Sequence, residues 1–327
     1  MNNDVPPELL AFIRNGKAFL VAGHKEPDGD CVGSQLALCS ALGRLGKRAL
    51  PCSAGPFKRI EIKPYEIRFT ASPGPEEREG ARVIMVDCSA PDRAGDLSPF
   101  LEGLPAAVID HHETGNHPPF RAEAPVYLDP AAPSTTFMVQ RLIGALGLEP
   151  TKEEAELLFF GLCTDTGFFR HVDSDGAETF AAASRLIRAG ASPKRTFLAI
   201  NGGKSLNSRR LLGLILARAE SHFGGRLLLS WEEPDETLRF GLEGRDSDSL
   251  YQMLQSVAGV EAIVIIRQEE PGKCTIGLRS RDTVDVAAVA ASLGGGGHKN
   301  AAGANSPETI APLRLKILDM FGKIFLD

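Results

Sequence analysis

Asp110-His111-His112 sets a carboxylate and two imidazoles side by side at the end of an apolar run, residues 106–109. Two more acidic clusters follow apolar runs in the same way: His24-Lys25-Glu26-Pro27-Asp28-Gly29-Asp30 after residues 18–23, and Asp87-Cys88-Ser89 after residues 81–86. A further carboxylate, Asp165, stands in Cys163-Thr164-Asp165-Thr166-Gly167 at the end of an apolar stretch. Singly each piece is ordinary, since Asp-Gly-Asp is a common turn and an isolated His is usually structural. Four or five carboxylates meeting in one crevice would repel one another unless cations neutralised them. Mixed imidazole and carboxylate donors suit divalent ions and favour Mn²⁺ over Mg²⁺. A polynuclear centre of that make-up points to hydrolysis of phosphate esters.

The elements around these residues must bring them together. Residues 18–23, 47–53, 81–86, 106–109 and 126–128 read as strands, and 31–45 as a helix carrying Leu36, Leu38, Leu42 and Leu45. Ser134 caps a helix running to about Leu146, and Thr151 with Glu154 makes a capping box for another that contains Leu157, Leu158 and Leu162. Strands that alternate with helices and are apolar on both faces predict an α/β fold, a parallel sheet covered by helices on both sides. Such sheets bind ligands beyond the carboxyl ends of their strands, where His24, Asp87 and Asp110 fall. Asp28 and Asp30 lie on the loop into the first helix, and Asp165 ends a helix that can project back. Cys31 and Cys88 adjoin these residues and by side-chain alternation point away. Ser34 helps the helix start, and His117 and His171 read as loop residues.

A chain of 327 residues is long enough for two domains. The polar Gly- and Ser-containing segment 191–210 reads as a linker between a domain of residues 1–190 and a smaller α/β unit of 211–327. In the latter, 226–231, 262–268 and 273–280 read as strands, and 206–221, 249–257, 284–293 and 309–325 as helices. A net charge of −6 offers no basic field for long duplex nucleic acid, so the partners expected are small anions. No apolar run approaches the ~20 residues of a membrane span, and the start lacks the basic region of a signal peptide. A cytoplasmic address without membrane contact follows, and six cysteines without a C-x-x-C pair read as reduced thiols.

Gly294-Gly295-Gly296-Gly297-His298, with Arg279-Ser280 upstream, reads as a stretch whose bare backbone lets a phosphate approach closely. It follows a predicted helix, so it is not a dinucleotide-binding G-x-G-x-x-G. His24-x-x-x-Asp28-x-Asp30, Asp87, Asp110-His111-His112 and Asp165 resemble motifs one to four of the DHH phosphoesterase superfamily. Gly294 to Gly303, with Arg279-Ser280, resembles the signature of the associated DHHA1 domain. The resemblance covers about residues 19–304. Within the superfamily the chain is similar to stand-alone bacterial enzymes of the NrnA type, which combine oligoribonuclease and 3′-phosphoadenosine 5′-phosphate phosphatase activities.

The resemblance implies an N-terminal DHH domain, a C-terminal DHHA1 domain and an active site in the cleft between them. It implies two Mn²⁺ per chain, with Mg²⁺ or Co²⁺ as substitutes: one held by His24, Asp28 and Asp87, the second by Asp30, Asp87, His111 and Asp165. His112 would face the substrate phosphate as a catalytic residue and Asp110 would orient the histidines. Arg279, Ser280, Gly295, Gly296, Gly297 and His298 would contact substrate. The implied activity is hydrolysis of short oligoribonucleotides to 5′-mononucleotides and of 3′-phosphoadenosine 5′-phosphate to AMP and phosphate. Cleavage of linear or cyclic dinucleotides is the nearest alternative, ahead of an exopolyphosphatase or a non-catalytic nucleotide-binding regulator. The implied partners are short single strands, small phosphorylated nucleotides and a second copy in a homodimer. Sparse aromatics in the second unit (Phe223, Trp231, Phe240, Tyr251, Phe321 and Phe325) argue against a long base-stacking platform, and so for short substrates.

Overall fold

The computed structural model describes residues 5–112, 124–241, 245–270, 272–281 and 283–326; His117 lies outside them. The chain divides into two compact units, Met1–Gly203 and Lys204–Asp327.

The first unit runs α1 (Pro7–Asn15), β1 (Ala18–Ala22), α2 (Gly29–Arg44), β2 (Arg48–Cys52), α3 (Pro75–Arg78), β3 (Ala81–Val86), α4 (Ser98–Leu101), β4 (Ala106–Asp110), β5 (Val126–Leu128), α5 (Thr135–Ala145), α6 (Lys152–Asp165), α7 (Ala177–Arg188) and α8 (Pro193–Asn201). Its five strands form a parallel sheet in the order β2-β1-β3-β4-β5. Both faces are buried, which is why the strands are apolar throughout. Phe19, Val21, Ile84, Val86, Ala107 and Ile109 pack against the long helices, while Leu20, Val83, Met85 and Val108 pack on the other face with Ala94, Leu97 and Leu101. That second face is covered by short helical turns rather than long helices.

β1 is followed by β2 on one side and β3 by β4 on the other, so the connections leaving the neighbouring strands β1 and β3 diverge. A crevice opens at their carboxyl ends. Helix α6 lies close against α2 because Gly33 has no side chain: a Cβ there would sit 2.5 Å from the carbonyl oxygen of Leu157. The expected capping box holds, with Glu154 N–H donating to Thr151 Oγ1 at 3.2 Å and Thr151 N–H to Glu154 Oε2 at 2.8 Å. Ser134 Oγ accepts from Phe137 N–H at 3.1 Å. Residues 177–203 carry no element in the sequence reading, yet α7 and α8 occupy much of them. Within the segment read as a linker, Ser192 caps α8 through Arg195 N–H and Pro193 opens it, a start signal masked by the polar surroundings.

The second unit runs α9 (Leu206–Ala217), β6 (Glu220–His222), β7 (Leu227–Glu232), α10 (Pro234–Phe240), α11 (Ser247–Gln255), β8 (Ala262–Glu270), β9 (Lys273–Ser280), α12 (Val286–Ser292), β10 (Gly296–His298), β11 (Ala301–Ser306) and α13 (Ile310–Phe325). Its mixed sheet has the order β10-β11-β9-β8-β7-β6, with only β7 and β8 parallel. The helix expected over 206–221 stops at Ala217, because Glu220–His222 pairs with Leu227–Leu229 as an edge strand. Ala301-Ala302-Gly303-Ala304-Asn305-Ser306 has little strand propensity and gave no signal. It forms β11 because β9 and β10 flank it and Ala302 and Ala304 enter the core beneath.

Candidate metal centre and anion-binding face

The carboxyl end of β1 delivers His24, whose Nδ1 lies 2.8 Å from the carbonyl of Lys25. A ring nitrogen facing a carbonyl carries a proton, which leaves Nε2 as the nitrogen available for a ligand; it points to Asp87 Oδ2 at 3.4 Å. His111 repeats the device after β4. Its Nδ1 faces the Ala132 carbonyl at 3.2 Å. Its Nε2 lies 3.4 Å from Asp165 Oδ2, 3.7 Å from Asp87 Oδ1 and 4.0 Å from Asp30 Oδ2. That nitrogen is buried and, among the described residues, has no hydrogen-bond partner.

The carboxylates are fixed by backbone. Asp28 caps α2, its Oδ1 accepting from the N–H groups of Asp30 and Cys31 at 3.0 and 3.1 Å. Asp30, on the first turn, receives the open N-terminus of α5: Thr135 N–H donates to Oδ2 at 2.6 Å, and Thr136 donates to Oδ1 through N–H at 2.9 Å and Oγ1 at 2.6 Å. With Ser134 taking Phe137, the first three N–H groups of α5 are all satisfied. Gly161 on α6 leaves room for this contact, since a Cβ there would sit 2.4 Å from Thr136 Cγ2. Asp87 has φ of 61°, a left-handed conformation that is strained for a non-glycine residue and is held by Asp87 N–H donating to the Ile109 carbonyl at 3.0 Å. Thr135 Oγ1 donates to Asp87 Oδ1 at 3.0 Å.

Asp30 and Asp87 are 1% and 2% exposed. Burial raises the pKa of Asp30 against the Thr136 hydrogen bonds, and burial with the charges of Asp30 and Asp28 drives Asp87 well above the carboxylate range. Burial, then the charges of Asp30 and Asp28, lifts Asp165 to about 7. His112 is a different kind of group. Its Nδ1 lies 2.8 Å from Asp110 Oδ1, which also accepts its backbone N–H at 3.1 Å, and Asp110 is buried. That hydrogen bond, opposed by partial burial, raises His112 to about 9, while its side chain stays 56% exposed.

Three sets of donor atoms lie within 4.8 Å of one another: His24, Cys31 and Asp87; Asp87, His111 and His112; Asp30, His111 and Asp165. Among the described residues Asp87 and His111 each belong to two of them, and of the two only the carboxylate has a second ligand atom with which to serve both. Buried like charges and an orphaned imidazole nitrogen are what a bound divalent cation would satisfy, so these residues could hold metal. Asp28 enters through its charge on its neighbours rather than through these sets.

Cys31 departs from expectation. It sits on helix α2, where strand alternation does not apply, and its Sγ faces the His24 and Asp87 group. Burial and then the charge of Asp87 push its thiol well above the usual range, so it stays protonated and donates toward Gln35 Oε1 at 3.5 Å. Cys88 does pack in the core of the far face. Asp28, not Ser34, starts the helix. The residues missed by sequence reasoning are Thr135 and Thr136, for which Pro133-Ser134-Thr135-Thr136 was a signal of a helix start but not of its target. Gln35 was missed too: it donates to the carbonyls of Val21 and Cys52 at 2.8 and 2.9 Å, tying the ends of β1 and β2 together.

In the second unit, strand register sorts the expected substrate contacts. Ile263, Arg279, Ala301 and His298 pair in one row across β8, β9, β11 and β10, and Ile265, Gly277, Gly303 and Gly296 in the next row on the same face. Residues paired across a sheet share a face, so Arg279 and His298 stand beside a floor of three glycines. Gly296 opens onto space, whereas a Cβ at Gly295 would lie 2.1 Å from Gly303 O and one at Gly297 2.5 Å from Ala301 O. Those two glycines therefore serve the close approach of β10 to β11. Ser280 is a correction. It alternates onto the buried face, and its Oγ donates to the Val284 carbonyl at 2.6 Å.

Residues 18–162 match the family model described as DHH family, N-terminal domain, and 235–323 match the DHHA1 domain. The chain is 34% identical over 284 residues to the bifunctional oligoribonuclease and PAP phosphatase NrnA of Thermus thermophilus, across 87% of this chain and 82% of that protein. It belongs to the DHH family of phosphoesterases. Identity to the cyclic-di-AMP phosphodiesterase GdpP of Geobacillus thermodenitrificans is 27%, over 96% of this chain but only 49% of that longer relative. The DHH fold recurs in the crystal structure of an exopolyphosphatase-related protein from Bacteroides fragilis, with a TM-score of 0.82 at 22% identity, covering 98% of this chain and 97% of that one. Among the described residues no helix is long and apolar enough to cross a membrane.

Proposed function

We propose that this DHH-family chain is a Mn²⁺-dependent phosphohydrolase, accepting Mg²⁺ or Co²⁺, that degrades short oligoribonucleotides to 5′-mononucleotides and converts 3′-phosphoadenosine 5′-phosphate to AMP and phosphate. The observation that carries the reading is the buried, unpartnered Nε2 of His111 facing Asp30, Asp87 and Asp165. In this reading His24, Asp28 and Asp87 hold one cation and Asp30, Asp87, His111 and Asp165 a second. When bound, such a pair lowers the pKa of water and offsets charge on the phosphoryl group.

The chain's own residues do the rest. Thr135, Thr136 and the N-terminus of α5 hold Asp30 and Asp87 still, so no reorganisation is needed when substrate arrives. The carbonyls of Lys25 and Ala132 keep His24 and His111 in the tautomer whose Nε2 is a donor to metal. His112, below its pKa of about 9 at neutral pH, carries a proton on each ring nitrogen. Nδ1–H is engaged by Asp110, which leaves Nε2–H for a phosphoryl or leaving oxygen. Arg279 and His298 take the anionic part of the substrate that is not cut, which favours nucleotides and short single strands over long chains. A net charge of −6 supports the same preference over duplex nucleic acid. The proposal includes a second copy as partner, on the resemblance alone.

The test is the Mn²⁺-loaded protein given RNA dimers and trimers, 3′-phosphoadenosine 5′-phosphate and cyclic-di-AMP in parallel. Release of 5′-mononucleotides and of AMP with phosphate is expected. No hydrolysis of the first two at full metal content sinks the reading, and faster turnover of cyclic-di-AMP moves it to the dinucleotide phosphodiesterase that the similarity to GdpP favours.

A further inference from the structure

Resting on the reading of Arg279 as the anion anchor, we infer that Tyr251 is the positioning residue that holds its guanidinium, and that the bare Cα of Gly277 is what admits the ring. The guanidinium carbon of Arg279 lies 4.7 Å from the centroid of the Tyr251 ring. Tyr251 comes from α11 and is 6% exposed. Gly277 and Arg279 are alternate residues of β9 on one face, and the ring passes across the strand at the first to lie under the second. A Cβ at Gly277 would sit 2.1 Å from the Tyr251 hydroxyl oxygen and 3.3 Å from Cζ, so any other residue would expel the ring.

The helix carrying the ring is itself tied down. Asp246 caps α11 through Ser249 N–H at 3.3 Å and pairs with Arg209 at 2.6 Å, and Arg267 Nη2 donates to Ser247 Oγ at 3.0 Å. The ring is therefore a fixed surface.

Holding an arginine by its face rather than by a carboxylate has a chemical consequence. An ion pair would neutralise the charge and occupy the fork of N–H donors that a phosphate needs. Among the described residues the guanidinium of Arg279 meets the Tyr251 ring and, through one Nη1–H, the Leu278 carbonyl at 2.9 Å. The ring quadrupole orients the cation while its charge and remaining donors stay available. Tyr251 acts through Arg279 and does not touch the ligand.

The experiment measures KM and kcat on 3′-phosphoadenosine 5′-phosphate, with metal loaded, for Arg279→Ala, Tyr251→Leu, Tyr251→Phe and the Tyr251→Leu/Arg279→Ala pair. Arg279→Ala is expected to raise KM, and Tyr251→Leu to raise it about tenfold with kcat within about twofold of the parent. Tyr251→Phe, which keeps the ring, should restore the parent KM, and the pair should be no worse than Arg279→Ala alone. A parent-like KM in Tyr251→Leu, or equal damage from Tyr251→Phe, overturns the role of Tyr251 while a raised KM in Arg279→Ala keeps the anchor. A parent-like KM in Arg279→Ala overturns the anchor itself. Should Tyr251→Leu not fold, the parent protein decides by NMR: the guanidinium resonance that Arg279→Lys removes must show a ring-current shift, and a random-coil position overturns the inference.

Discussion

In the first unit, Asp30, Asp87 and Asp110 are buried with hydrogen-bond donors arranged around their oxygens; in the second, Arg279 lies on an aromatic ring beside a row of glycines. Both arrangements suit phosphate chemistry, and they reach it from opposite directions. The acidic centre concentrates charge of one sign, which protons or a bound cation would have to balance, although its geometry is held by the chain's own hydrogen bonds. The sheet face leaves side chains out at its glycines and sets a guanidinium on an aromatic ring, with no cluster of metal-ligating side chains among its described residues. Damage to the first should therefore strike turnover and metal content together, and damage to the second should strike affinity alone.

The largest effect is expected at the carboxylate shared between two donor sets. Asp87→Asn should lower kcat by about 10⁴-fold with loss of bound metal, read by steady-state kinetics and metal analysis; retained turnover would remove its shared role. Asp110→Asn should lower kcat by about 10²-fold. It should also move the alkaline limb of the pH profile down: the hydrogen bond to the Asp110 carboxylate holds His112 at about 9, and a neutral amide in its place accepts more weakly and carries no charge, so the imidazolium loses its proton at lower pH. An alkaline limb that stays in place would mean His112 is not the acid.

On the other unit, Gly303→Val should raise KM about tenfold by filling the floor, with kcat, metal content and melting temperature unchanged. The nearest atom to a Cβ there is Ile276 O at 3.4 Å, so the variant should fold. If kcat or metal content fell with it, the division between the units would fail. Thr136→Val removes the hydroxyl at 2.6 Å from Asp30 Oδ1 and should weaken metal affinity about tenfold by calorimetry.

The smallest effect separates the two kinds of site by pH. Asp165 sits at about 7 in the folded chain against about 4 unfolded, so its contribution favours the fold at acid pH and is lost as pH rises through that interval. The melting temperature of metal-free protein should fall below that of the loaded protein by about 5 °C as pH goes from about 5 to about 7. A gap that stays constant across that range would mean that neither burial nor the neighbouring carboxylates raise Asp165.

Much of the candidate metal centre was legible in the sequence because a parallel sheet converts chain order into position. An acidic residue straight after a buried strand lands at the carboxyl edge whatever the details of packing, and His24, Asp87 and Asp110 needed no more than that. Asp165 was legible as the end of a helix, and Asp28 as part of the loop into α2 though not as its cap. The rest depended on contacts between distant segments. Thr135 and Thr136 bond to a carboxylate 105 and 106 positions earlier, a relation no local pattern encodes. Cys31 was misplaced because a strand rule was applied to a helix. Ser280 was misplaced because one step along β9 reverses the face, and the phase of that strand shows only when β8 and β11 are in register with it.

Residue types and their spacing thus determined by themselves that buried strands end in carboxylates and imidazoles, since apolar runs must bury and their polar ends must emerge. Only the tertiary structure decided which side chains face one another: the helix N-terminus that receives Asp30, the strained backbone that aims Asp87, and the glycine gap through which Tyr251 reaches Arg279. Burial is a property each residue carries along the chain, whereas orientation is a relation between segments and exists only once they are packed.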